Sequence, residues 1–475
     1  MELHQRIVSA PVDFGAVRSE FGLASAYPAE AGAEARDASD AFAGVRIDRT
    51  DLELVTIDPP GALDLDQAVH LLRTDTGFTV HYAIADVAAV IAPHGALARE
   101  SGARGQTFYL PDGTVPLHPP VLAEDTASLL PDRTRPAVLW TIDCDHEAEP
   151  VRVDVRRALV RSRARLDYAG VQAAADAGTL PAPLAALPEF GRLRSESGLA
   201  RGAIGLRLPS QRVVRDAAAD GHWRLELEPR TAVDDWNEQV SLLTGMCAAR
   251  LMLAPVADRL GILRTMPSPP ESAVDSLRRT AAALGVPWPA ETSVGRMLAG
   301  LDPNAPAGLV LMSEATTLLR GARYTVFGER DPQVRAHSAI GAPYAHVTAP
   351  LRRLADRFAT EICLARSAGT PVPDWVRDGL DAVADTMKRT DAVAGKVDRA
   401  CLDLTESTLL AARVGEEFEA VVLREADGRR AAEIFVAHPP ILGPCAGAPP
   451  EGARVRVRLA AADPVTRKIG FAFGE

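Results

Sequence analysis

From about Arg46 onward the chain alternates between two hydrophobic periods. Stretches of period two, which mark half-buried strands, are interleaved with longer stretches of helical period. The run LDLDQAVHLL puts Leu63, Leu65, Val69 and Leu71 on one face, so a strand is predicted with Asp64 and Asp66 together on the other. In RSRARLDY the same alternation gathers Arg161, Arg163 and Arg165 on one strand face. Trp236 to Ala254 carries apolar residues at helical spacing. PLRRLADRFATEICLARSA predicts a helix that starts at Pro350, with Thr348 as a cap candidate, and stops at Gly369-Thr370-Pro371. Arg389 to Arg413 predicts another, ended near Gly415.

The two ends of the chain read differently. Residues 1–44 are rich in alanine and predict two short helices, Asp13 to Gly22 and, after the Tyr27-Pro28 turn, Ala29 to Ala43. Residues 414–475 predict strands. FEAVVLREADGRRAAEIFVA gives two, joined at Asp427-Gly428, and ARVRVRLAAADPVTRKIGFAF gives two more. Arg454, Arg456 and Arg458 alternate along one of them, and a small all-β unit with a basic strand fits an OB-type barrel. The fold class is therefore α+β. A helical segment (1–44) leads into a large mixed α/β domain (45–413) and a C-terminal barrel (414–475).

Composition narrows the function. With 475 residues, 47% of them apolar, the chain can bury a large core. It has no run of about eighteen apolar residues, and MELHQRIVSAPVDFG lacks the pattern of a signal peptide. Five scattered cysteines form no CxxC or Cys/His motif, which points to reduced core thiols rather than zinc. A cytoplasmic monomer with no membrane partner is expected. The net charge of −11 argues against a uniformly basic surface but leaves room for a local basic channel. Arginine supplies nearly all the positive charge, since Lys388, Lys396 and Lys468 are the only lysines. Aromatic residues are 5% of the chain, so base-stacking surfaces reduce to a few candidates: Tyr109, Tyr168, Tyr324 and Tyr344.

The chemistry concentrates in TIDPPGALDLDQAVH. Asp58, Asp64 and Asp66 fall within nine residues around a Pro59-Pro60-Gly61 turn that folds the chain back. Like charges held together demand a cation, and hard oxygen donors point to Mg²⁺ or Mn²⁺. The triplet alone fits either such a site or a solvated acidic turn.

Four segments, in order, carry a resemblance: TIDPPGALDLDQAV, HYAIADVAAVI from His81, RGQTFYLPDGTVPLHPPVLAEDTASLLP from Arg104, and YAHVTAPLRRLADR from Tyr344. They resemble the RNB catalytic domain of the ribonuclease II family. VRSRARLDYAGV, RGAIGLRLP and LEPRTAVDDWNEQVSLL extend the match over roughly residues 45 to 412. The resemblance implies a Mg²⁺-dependent hydrolytic exoribonuclease, with Mn²⁺ as a substitute. Its partner would be single-stranded RNA with a free 3′ end, degraded to nucleoside 5′-monophosphates. A short form is implied, because residues 1–44 cannot hold the two cold-shock barrels that relatives often carry.

Asp58, Asp64 and Asp66 match the acids that hold metal and orient water, Asp66 at the position essential for hydrolysis. Arg352 matches the arginine on the scissile phosphate, and Arg353 an adjacent phosphate contact. Tyr109, Tyr344 and Arg163 are candidate RNA contacts; Glu228 matches a reader of the ribose 2′-hydroxyl, and Asp398 a glutamate that touches RNA. Gln67 departs, since the family usually has a fourth aspartate there. It is expected either to ligate the ion through its carboxamide oxygen or to face the apolar side. That departure keeps a catalytically degenerate RNA-binding regulator open. The absent barrels and acidic charge keep a general oligonucleotide phosphodiesterase open.

Overall fold

The computed structural model describes residues 9–208, 210–228 and 230–474, without the side chains of Ser210 and Glu228. At its centre is a curled sheet. Leu54–Ile57, Gln67–Thr74, Gly77–Ala85 and Thr134–Cys144 lie side by side, and the 17-residue strand Pro150–Leu166 pairs with both ends of the set. It runs antiparallel to Thr134–Cys144, with Arg161 opposite Thr134, and parallel to Leu54–Ile57, with Leu166 opposite Ile57. Strand alternation splits the interior in two. Tyr82, Ile84, Trp140 and Ile142 pack with Phe78 and Phe190 on one face. Ala83, Ala85 and Leu139 pack with Leu65 and Leu351 on the other. The small alanines on that second face allow Leu65 and Leu351 to approach the sheet closely.

Helices cover the first face. Ala232–Leu253 opens with a capping box between Thr231 and Asp234. Leu354–Ala368 ends at Gly369, which takes the left-handed conformation that stops a helix. The longest, Asp374–Leu410, has 37 residues and begins well before the expected Arg389. All five cysteines are buried and unpaired. Among the described residues, no helix is long and apolar enough to cross a membrane.

Three elements differ from expectation for identifiable reasons. Residues 62–66 are irregular and the strand begins at Gln67, so Asp64 and Asp66 do not share a strand face. Ser128 competes for this stretch: its hydroxyl accepts the Leu65 N–H and donates to the Leu63 carbonyl, and the Leu129 N–H bonds the Leu65 carbonyl. Leu63 is consequently exposed while Leu65 is fully buried. The helix expected from Pro350 begins at Leu354. Near the N-terminus the second helix is shorter than expected, Ala29–Arg36, closed by the Asp37 N–H on the Ala33 carbonyl.

The C-terminal unit is a closed five-stranded barrel: Glu417–Arg424, Ala432–Ala437, Pro440–Ala446, Lys468–Ala472 and Arg454–Asp463. Pro440–Ala446 escapes the sequence pattern because Pro440, Gly443 and Pro444 read as turn residues. Arg454, Arg456 and Arg458 are exposed on one face as predicted. Glu419 and Glu417 sit directly opposite Arg456 and Arg458 on the neighbouring strand, so the stripe mixes both signs.

The barrel meets the long helix around Glu406, which is 1% exposed. One carboxylate oxygen accepts the Gln211 amide at 2.6 Å, and the same nitrogen donates to the Pro440 carbonyl at 2.7 Å. The other oxygen has no partner. Burial pushes the carboxyl up from 4.5 to about 7. Between these two values the folded chain keeps a proton that the unfolded chain releases, so stability falls as pH rises through the window. Relative to Glu406→Gln, the wild type is expected to lose on the order of 3 kcal/mol across it and little more above. Urea melts of both proteins at a series of pH values measure this. Parallel curves would mean that Glu406 ionises freely.

Candidate active site

The loop 58–66 and the irregular segment 345–353 meet at the edge of the sheet. The Asp58 N–H bonds the Leu166 carbonyl at 3.0 Å, and the Ala62 N–H closes the Pro59-Pro60-Gly61 turn on the Pro59 carbonyl at 3.1 Å. Gly61 takes φ 85° there, a conformation costly for other residues. Asp66 lies deepest, 3% exposed. Its Oδ1 accepts the Leu351 N–H at 2.7 Å, and its Oδ2 accepts Arg352 Nε at 3.2 Å. Arg352 keeps 44% of its side chain exposed, and that side chain makes no other hydrogen bond to the described residues, which leaves Nη1 and Nη2 unengaged.

Segment 345–353 is held from every side. Gly245 receives the Ala345 N–H at 3.1 Å, at a contact so close that a Cβ there would lie 2.1 Å from the Tyr344 ring. Gln67 donates its amide to the Thr348 carbonyl at 2.5 Å. Asp356 accepts the Ala349 N–H at 2.7 Å and the fork of Arg353 at 2.5 and 2.8 Å. His118, fully buried, lies 3.2 Å from the Pro350 carbonyl, and burial lowers its pKa to about 3, which keeps it neutral. Thr107 N–H bonds the Arg352 carbonyl, and Leu354 N–H the Gly105 carbonyl. These bonds occupy the groups a helix from Pro350 would have used. The N–H groups of Ala349 and Leu351 are accordingly not free for a phosphate.

Electrostatically the acids are only partly balanced by Arg352 and Arg165. Burial raises Asp66 to about 7, against the lowering effect of Arg352. Asp58 rises to about 6, first through burial and further through Asp64, with Thr56, Arg352 and Arg165 opposing. Asp58 Oδ2 is buried without a partner. Burial and Arg353 oppose the charge on Arg352, but Asp66, Tyr109 and Asp356 together outweigh them and its pKa is raised. Orphaned hard oxygens with raised pKa values suit a divalent cation. Among the described residues, no three His, Cys, Asp or Glu side chains are arranged to hold an ion as they stand.

The remaining predicted residues divide. Tyr109 is 47% exposed with its hydroxyl 3.4 Å from Asp64 Oδ2, beside the acids. Gln67 is half-buried and donates its amide nitrogen to the Thr348 carbonyl, which leaves the carboxamide oxygen as the atom that a cation could use. Tyr344 corrects its expectation as a base contact: it is buried, edge-on to His346 and His337 at 5.4 and 6.3 Å. Arg163 is also corrected, since its guanidinium bonds the Thr50 carbonyl at 2.6 Å; Arg165 is the member of that stripe that influences Asp58. Arg353 is bound to Asp356 rather than presented as a free phosphate contact. Asp398 is exposed on the long helix near Cys401 and does not join the acids. Glu228 ends a strand, and its side chain lies outside the described residues. Sequence reasoning missed Asp356, His118 and Gly245. Asp356 was the visible one, three residues after Arg353 and thus within reach of its fork.

The RNB domain profile matches residues 46–363, and that of the RNase II-type exonuclease C-terminal S1 domain matches 416–473. The exosome complex exonuclease RRP44 homolog A of Arabidopsis thaliana is 29% identical over 81% of this chain and 42% of its own length. Ribonuclease R of Escherichia coli is 28% identical over 68% of this chain and 41% of its own. The chain thus spans about two fifths of the length of these relatives. Mycoplasma genitalium RNase R in complex with ribose-methylated single-stranded RNA superposes with TM-score 0.85 at 19% identity, covering 96% of this chain and 77% of that one. Yeast Ssd1, described as a pseudonuclease, superposes with TM-score 0.65 at 15% identity, covering 91% and 53%. At these identities the superpositions establish the fold. With two thirds of its length matched by the RNB profile and an S1 barrel behind it, the chain belongs to the RNB-domain family.

Proposed function

We propose that the protein is a hydrolytic exoribonuclease that shortens single-stranded RNA from its 3′ end to nucleoside 5′-monophosphates, using Mg²⁺ or, as a substitute, Mn²⁺. The observation that carries this reading is the junction of Asp66 with Arg352, a buried carboxylate against a guanidinium whose outer nitrogens face solvent. Phosphodiester hydrolysis needs an activated water, charge stabilisation on the phosphorane and an eased departure of the 3′-oxygen. Asp58 and Asp64, with the orphaned oxygen of Asp58, are the residues that would hold the cation. Bound there, Mg²⁺ would lower the pKa of a water and neutralise charge on the phosphate. Asp66 orients the water and fixes Arg352, whose Nη1 and Nη2 form a fork for the phosphate oxygens. The exposed Tyr109 ring offers a face for the terminal base.

A second reading, an RNA-binding protein without turnover, is favoured by Gln67 in place of a fourth acid and by the absence of a ready three-ligand arrangement among the described residues. Incubating end-labelled single-stranded RNA with and without Mg²⁺, and resolving product size and polarity, separates the two. Mg²⁺-dependent shortening from the 3′ end supports the nuclease; retained RNA binding with no shortening supports the second reading. Comparable degradation of single-stranded DNA would indicate a general phosphodiesterase, because telling the polymers apart requires contact with the 2′-hydroxyl.

Three substitutions test the site. Asp66→Asn is expected to abolish hydrolysis while largely sparing RNA affinity, which rests on phosphate contacts elsewhere. Near-normal turnover in this variant would remove Asp66 from the chemistry. Arg352→Lys keeps the charge but loses the fork, and turnover should fall by about 10²-fold or more. Gln67→Leu removes the bond to Thr348 and should cost about 1 kcal/mol of stability and part of the turnover, with RNA binding retained. Gln67→Asp places a carboxylate against the Thr348 carbonyl and should be worse without Mg²⁺, then recover as Mg²⁺ is raised. A Leu variant equal to wild type in melting and in turnover would show that the Gln67 bond does nothing for the site.

A further inference from the structure

Away from the acids, a cavity of about 320 Å³ opens between the helix Ala96–Arg104 and the first turns of Leu354–Ala368 and Asp374–Leu410. Leu354, Phe358 and Trp375 wall it, the two rings meeting edge-on with centroids 5.0 Å apart. Gly379 sets the approach of the two helices here, since a Cβ would lie 2.7 Å from the Phe358 ring. Arg99 and Asp378 stand at its exposed rim, and one charge is buried in its wall. Arg357 is 4% exposed, with its guanidinium carbon 4.6 Å from the centre of the Trp375 ring.

Within the protein that guanidinium is poorly answered. Nη2 donates to the Ile91 carbonyl at 2.7 Å, while the enclosed Nε has no partner. Among the described residues Arg357 forms no ion pair. The acids around it are engaged elsewhere, the adjacent Asp356 with Arg353, Asp86 with Arg46 and Arg157, and Glu361 with Arg157. Burial accordingly lowers the Arg357 pKa to about 10. A buried donor left unpaired is costly, and an anion that accepts from it removes the cost.

The chemistry of the lining selects the anion. A planar guanidinium fits a carboxylate, and the rings beside it fit a flat or branched apolar body. A phosphate would bring more negative charge than one guanidinium can meet, and Arg99 at the rim already donates to the His94 carbonyl at 2.7 Å. We propose that this cavity is a binding site for a small aromatic or branched aliphatic carboxylate, held by Arg357 and packed against Phe358 and Trp375. It lies behind the site described above: Leu354 lines it and bonds Gly105, two residues after Arg352. The assignment does not depend on the nuclease reading.

Phenylacetate is the probe, 2-phenylethanol its uncharged counterpart, and the full chain without RNA the receptor, followed by tryptophan fluorescence and calorimetry. Saturable binding of phenylacetate is expected, at least about tenfold tighter than the alcohol, because a hydrogen bond to a charged group is gained. Arg357→Met should erase the preference for the acid. Trp375→Phe should remove most of the fluorescence change while calorimetric binding persists. Ala98→Leu, at the half-buried rim, should weaken both ligands without touching the guanidinium, and it decides the matter with the acid-to-alcohol ratio if Arg357→Met does not fold. No saturable binding, equal affinity for acid and alcohol, unchanged affinity in Ala98→Leu, or a preference that survives in Arg357→Met would each overturn the assignment.

Discussion

Asp66 carries a carboxylate into a place with almost no water, and the chain answers it from 285 residues away with the Leu351 N–H. Desolvation of that group is the constraint around which the site is built, because a buried charge without partners would cost several kcal/mol. One N–H and one Arg352 nitrogen stabilise the ionised form but do not fully offset burial, as the raised pKa of about 7 records. The same contact fixes the position of Arg352, so the carboxylate and the guanidinium cannot move independently. Removing the carboxylate therefore loosens two functional groups at once.

That coupling explains why segment 345–353 is irregular. A helix running from Pro350 would have turned the Leu351 N–H and the Arg352 carbonyl along its own axis. They are bonded instead to Asp66 and to Thr107, while Gln67 takes the Thr348 carbonyl and Asp356 the Ala349 N–H. Each backbone group that leaves the helical pattern finds a partner on another element, as a buried backbone must. The helix proper then starts at Leu354 and leaves the Arg352 side chain outside it, partly in solvent. Gln67 has a clear role in this scheme that an ionised aspartate could not fill, because a carboxylate has no hydrogen to donate to a carbonyl.

What the sequence made legible follows from the range of the forces involved. The strand through Arg161, Arg163 and Arg165, the Gly369 stop, the helix around Trp236 and the basic alternation at Arg454 are local patterns, and each stands where its period puts it. The acids and Arg352 were reached through residue types and a family resemblance, which mark which groups matter but not their contacts. Most of the failures are non-local. Ser128 pulled Leu63 and Leu65 out of strand alternation from more than sixty residues away. Thr50 took Arg163 out of play from 113 residues away, whereas Asp356 did the same to Arg353 from three. Tyr344 was drawn under the Gly245 contact, where no base can stack on it without rearrangement.

The distribution of charge carries the argument one step further. A net charge of −11 repels a polyanion at long range, so the approach of one would depend on short stretches of unpaired arginine. Many arginines in the RNB domain are engaged with carboxylates, among them Arg46, Arg157, Arg264 and Arg353. On the barrel, Glu417 and Glu419 lie across from Arg458 and Arg456, so the exposed stripe offers less positive potential than its three arginines suggest. Any affinity for a polyanion must then come from few phosphate contacts. Discrimination would fall to the geometry at Asp66 and Arg352, where the guanidinium fork is held in place before a ligand arrives.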